Sequence, residues 1–208
     1  MSFDATVYFK EVPPDLAARW EAALKELQID LKAWVKAPAA KGAMTWYLYE
    51  RTDKKPEDGL AAYVKPSAPD AKLKPDEAKL LAGMRHAATL DANLGAGTVV
   101  LMIMGALAKA TGGVLVEHQG AAFEKAFEQD LTQQRGARGP KGAPTLAERG
   151  FYDATLAWAV ARAAAAYEER QKAKRKPKAA LPTAGGIVGT VLVAGFAKLA
   201  ERRRRLRR

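Results

Sequence analysis

Apolar and polar positions alternate from Ala5 to Lys10, and Val7, Tyr8 and Phe9 suit a pleated surface, so a strand is predicted there. The period then changes. Leu16, Trp20, Leu24 and Leu27 recur at spacings of four, four and three behind Pro13, Pro14 and Asp15. That spacing predicts an amphipathic helix on a sheet, with proline in the first turn, where its missing N–H has no partner to lose. Three strand-like runs follow. Leu31 to Lys36 puts Leu31, Ala33 and Val35 on one side and Trp34 on the other; Met44 to Glu50 and Leu60 to Lys65 continue the pattern. The polar stretch Asp53 to Gly59 reads as the turn between the last two.

Ser67 to Pro75 reads as a loop. A second helix is expected from Pro75, with Asp76 and Glu77 in its first turn and Leu80, Leu81, Met84 and Ala88 on its apolar face, which places His86 on that helix. Thr98 to Ala108 is the most apolar internal stretch. It predicts a further helix, stopped at Thr111-Gly112-Gly113 before a buried strand at Val114, Leu115 and Val116. The order β-α-β-β-β-α-α-β implies an α+β domain, specifically a ferredoxin-like split βαβ sheet with helices on one face.

Gln133 to Pro144, QQRGARGPKGAP, breaks the pattern and reads as a flexible surface loop. Beyond it, Thr145 and Glu148 have capping-box spacing. A long alanine-rich helix is expected from Asp153 to Lys174, with Leu156, Val160, Ala163 and Tyr167 on one face. The expected organisation is an α+β domain over 1–132, the loop 133–144, the helix 145–176, and an apolar segment with a polybasic end over 177–208.

Charge changes the picture of that last part. The chain carries a net +11, but residues 168–208 hold 13 Lys/Arg against 3 Asp/Glu, so the rest is almost neutral. Between Lys178 and Lys198 lie 19 uncharged residues, which as a helix would reach about 28 Å, close to the roughly 30 Å of a bilayer core. Gly185 and Gly189 have the spacing that lets helices approach closely; Gly195, Val191 and Phe196 are further candidates for membrane or helix contact. Arg202, Arg203, Arg204, Arg205, Arg207 and Arg208 are candidates for binding a polyanion. Three readings stay open for this tail: a membrane anchor, a helix or strand pair packed on this chain or a partner, and a nucleic-acid-binding arm. A solubilising tail without a partner is the plainer fourth.

Candidate chemistry is sparse. The absence of cysteine rules out disulfides, thiolate metal sites and cysteine nucleophiles. Serine occurs only at Ser2 and Ser67, and no GxSxG is present. Gly95-Ala96-Gly97-Thr98 lacks the Lys-Ser/Thr of a P-loop and has Val100 where a dinucleotide fingerprint needs glycine, so it reads as a helix entry. His86 and His118 show no metal-ligand spacing. Glu117 and His118 are strand neighbours that should point to opposite faces. The pairs Asp76-Glu77 and Glu168-Glu169 read as solvated helix-end charges. No cofactor, metal or catalytic residue is expected. Trp34, Trp46, Tyr47, Tyr49 and Tyr63 are the candidates for a protein-binding face, since alternate members of a strand must leave the core. MSFDATVYFKEV has neither a basic start nor an apolar run, so no secretory signal is expected, and a cytoplasmic location, at the inner membrane face if the tail engages lipid, follows.

Ala106 to Gly120, ALAKATGGVLVEHQG, resembles the helix–TGG–strand element of small bacterial α+β proteins of the immunity type. The resemblance implies a protein that neutralises a toxin by binding it; the near-neutral domain, the aromatic strands and the lack of a catalytic constellation lead to the expectation of a non-catalytic bacterial interaction protein, immunity-like or adaptor-like. The resemblance covers about fifteen residues and assigns no binding residue.

Overall fold

The computed structural model describes residues 5–35, 43–67, 72–90, 97–118 and 144–175. Its elements are β1 (Ala5–Phe9), α1 (Leu16–Glu26), β2 (Lys32–Trp34), β3 (Met44–Tyr49), β4 (Leu60–Pro66), α2 (Pro75–Leu80), β5 (His86–Leu90), α3 (Gly97–Thr111), β6 (Val114–Glu117), β7 (Phe151–Tyr152) and α4 (Ala154–Arg175). Among the described residues the strands form one sheet in the order β2-β3-β4-β5-β1-β6-β7, every neighbouring pair antiparallel. From β1 the chain passes through α1 to the far edge at β2. It then meanders back through β3 and β4 to β5, beside β1, and α3 carries it over to β6 on the other side of β1. The architecture is α+β.

One expected element is corrected. The helix predicted to run from Pro75 through Ala88 stops at Leu80; the chain turns at Gly83 (φ 77°), and His86–Leu90 forms a central strand. His-Ala-Ala-Thr-Leu has weak strand character of its own. Pairing with β1 on one side and β4 on the other satisfies its backbone groups, and that tertiary ladder overrides the local preference of alanine for helix. His86 is therefore a strand residue. The expected order gains β5 and β7 accordingly. By contrast, α3 ends at Thr111 with Gly112 in the left-handed region (φ 65°), as the TGG stop implied.

The core lies on the face covered by α1, α3 and α4. Val7, Phe9, Trp46, Leu48, Leu60, Ala62, Ala88 and Leu115 point into it from the sheet. From α3, Val100 to Ala108 are buried without a break, because the helix has sheet beneath it and α1 and α4 beside it. Trp20 of α1, fully buried, donates its indole N–H to the Ile103 carbonyl of α3 at 3.2 Å. Glycine at 105 is a steric requirement: a Cβ there would lie 2.6 Å from Ala161 Cβ and 2.7 Å from the Ala157 carbonyl oxygen of α4. Ala157, Val160, Ala161, Ala164 and Tyr167 of α4 belong to the same apolar cluster as β1, so the helix shares the core of the sheet. At the edge of the sheet, Glu21 of α1 accepts the Ala33 N–H at 3.0 Å and pairs with Lys32 at 2.7 Å. That carboxylate occupies a donor of the kind an edge strand otherwise offers to another chain.

Candidate functional site on the second face of the sheet

Alternation sends half of each strand to the opposite face. There Trp34 and Tyr47 are register partners on β2 and β3, with ring centroids 5.7 Å apart. Tyr49 follows two residues along β3, and Tyr63 stands on β4 opposite Thr45. Tyr63 is 50% exposed, while Trp34, Tyr47 and Tyr49 are half-buried. Trp46, named with them from the sequence, belongs elsewhere: it is fully buried in the core, 5.8 Å from the Phe9 ring and edge-on to Trp20. The physical reason is the strand period of two, which cannot put both Trp46 and Tyr47 on one face.

From this aromatic half a row of register partners crosses the sheet: Thr45, Tyr63, Thr89, Thr6, Val116 and Phe151. Its middle is polar. The Thr6 and Thr89 hydroxyls are 3.3 Å apart, and His118 Nε2 lies 2.9 Å from Thr6 Oγ1. These links escaped sequence reasoning, because Thr6 and His118 are 112 residues apart and only the β1–β6 register brings them together. Glu117 turns the other way, as alternation requires of neighbours: it is buried, accepting the Tyr152 hydroxyl at 3.1 Å.

The far part of the face is covered. Val114 and Val116 form a small cluster with Leu81, flanked by Leu73, Leu80 and Met84 around α2 and by Tyr8 and Phe151. Here Glu77, which the sequence suggested was a solvated acid, is buried, with Arg149 Nε 2.8 Å from its Oε1. Arg149 also bonds Asp76 and donates to the Pro144 carbonyl at 2.8 Å. The Arg149 guanidinium holds the Asp76 carboxyl below the usual carboxylate range. Glu168, the other acid expected in solvent, is half-buried and accepts the Thr98 hydroxyl that opens α3, while Glu169 pairs with Lys172 at 2.9 Å. His86 lies on the core side, its ring stacked 5.3 Å from Phe9.

The loop 133–143, the apolar candidates Gly185, Gly189, Val191, Gly195 and Phe196, and the arginines at 202–205, 207 and 208 lie outside the described residues. Among the described residues no helix is long and apolar enough to cross a membrane, and no group of three metal-ligating side chains occurs. No family model matches the chain, and neither a curated protein nor a solved structure does.

Proposed function

We propose that this chain is a non-catalytic recognition protein, immunity-like or adaptor-like, whose second sheet face engages a protein partner. The observation that carries the reading is Tyr63, a large side chain 50% exposed on a face that also holds Trp34, Tyr47 and Tyr49. Rigid aromatics with a polar tip provide contact area at small entropic cost, and they anchor many protein interfaces. We read the sheet as a ferredoxin-like arrangement of four strands enlarged by three. Supporting this, the β5–α3–β6 crossover leaves one strand between its ends, whereas β1–α1–β2 leaves three. Stacking α1, α3 and α4 on one face is what leaves the aromatic face for recognition.

The test compares capture from the native host by the parent chain and by Tyr63→Ser combined with Trp34→Ala. The expected result is loss of a specific partner, by at least about tenfold in affinity, with little change in thermal unfolding. Undiminished capture by the variant ends this reading. A partner kept by the variant but lost when the chain ends at Arg175 moves recognition to the basic tail.

A further inference from the structure

We propose that residues 72–84, built around α2, form a cover over the β1–β6–β7 part of the second face, that this cover opens separately from the main core, and that Arg149 is its latch. Among the described residues the buried apolar side chains divide into two clusters with the sheet between them. The cover touches only the smaller one, and Leu81 is its sole buried apolar residue. Its helix has six residues, too few to persist without tertiary support. Among the described residues, Arg149 adds a polar hold. Arg149, on the turn before β7, reaches Glu77 and Asp76 together. Glu77 in turn accepts the Lys74 N–H through its other oxygen at 2.8 Å, so the latch and the start of α2 share one carboxylate.

The pivot is also defined. Past Gly83, the Arg85 N–H is fixed to the Phe9 carbonyl at 2.9 Å, so the strand side stays in place while the cover turns about the glycine. Few buried apolar contacts and a short helix held by surface-accessible ion pairs are the marks of a low-stability opening unit. Opening exposes Val114, Val116, Tyr8 and Phe151. The aromatic surface at Tyr63 would then run on through Thr89 and Thr6 to Val116 and Phe151. The cover opens in this way whatever that surface binds.

The absence of cysteine makes a direct test available, because an introduced thiol is the only one in the chain. Val116→Cys places it under the cover; Val7→Cys places it in the main core, on the opposite face of the sheet. Labelling by a thiol reagent in the folded protein, with urea varied, reads the two openings. Val116→Cys should label at least about tenfold faster than Val7→Cys and with a weaker urea dependence. Adding Arg149→Met should accelerate Val116→Cys roughly tenfold more and leave Val7→Cys nearly unchanged. Asp76→Asn, which removes one contact on an exposed side chain, gives the same comparison with a smaller shift if Arg149→Met does not fold. Equal rates and urea dependences at the two thiols overturn the proposal. So does a latch variant that speeds both labelling rates alike, since it would then act on the whole fold.

Discussion

His86 shows how a residue acquires a role that its neighbours in sequence do not suggest. Its ring lies on Phe9, and burial, followed by the charge of Arg85, lowers its pKa from the ordinary value of 6.5. The unfolded chain therefore takes up the proton first as pH falls. Stability linked to neutral His86 is complete above the ordinary histidine range, declines as pH drops through it, and levels off once the folded residue is itself protonated. His86→Phe keeps an aromatic ring against Phe9 and removes this dependence. The unfolding free energy of the variant should rise relative to the parent as pH is lowered from about 7.5 to about 5.5 in urea titrations. A difference constant over that range would show that His86 does not titrate into the folding equilibrium. Sequence indicated a structural histidine; its place on a strand depended on β1 and β4, which lie far away along the chain.

At the scale of elements, the contact between α3 and α4 is set by small side chains. Gly105 lets the helices meet at Ala157 and Ala161, and Gly105→Ala would push a methyl group into both. Overpacking of this kind costs about 1–3 kcal/mol. The urea midpoint should fall with the slope unchanged, and a loss below about 0.5 kcal/mol would mean the helices part without strain. Elements with a strong period of their own, such as α1 with Leu16, Trp20 and Leu24 or β3 with Trp46 and Leu48, lie where the pattern placed them. β5 did not announce itself, because Ala87 and Ala88 carry almost no strand signal and Pro75 to Glu77 started a helix convincingly. β7 is two residues long, too short for any period, and is a strand only by pairing with β6.

For the whole molecule, the apolar cluster extends from Ala5 to Tyr167 and takes Ala147, Tyr152, Ala157, Val160, Ala161, Ala164 and Tyr167 from the last described segment. A chain ended at residue 144 loses all of these and exposes the flank of α3 at Gly105, where α4 packs. It should show no cooperative urea transition, whereas a chain ended at 175 keeps all of them and should retain one. A sharp transition in the shorter chain would mean that residues 1–144 fold without α4. The candidate face was legible in part: the aromatic strands and the rule that alternate members leave the core could both be read. Which members leave was settled by register, with Tyr63 outward and Trp46 inward.

By itself the sequence determined the α+β class, the positions of its strongly periodic elements, the TGG stop of α3, the exclusion of cysteine chemistry, and the concentration of positive charge after residue 167. All of these are local properties, carried by period, turn chemistry or composition. Tertiary structure alone decided that His86–Leu90 is a central strand, that Thr6 meets Thr89 and His118, that Glu77 is buried beside Arg149, and that a small covered patch lies next to the aromatic one. Each of these depends on pairings between residues distant in the chain, and a backbone group or carboxylate takes its environment from its partner in space.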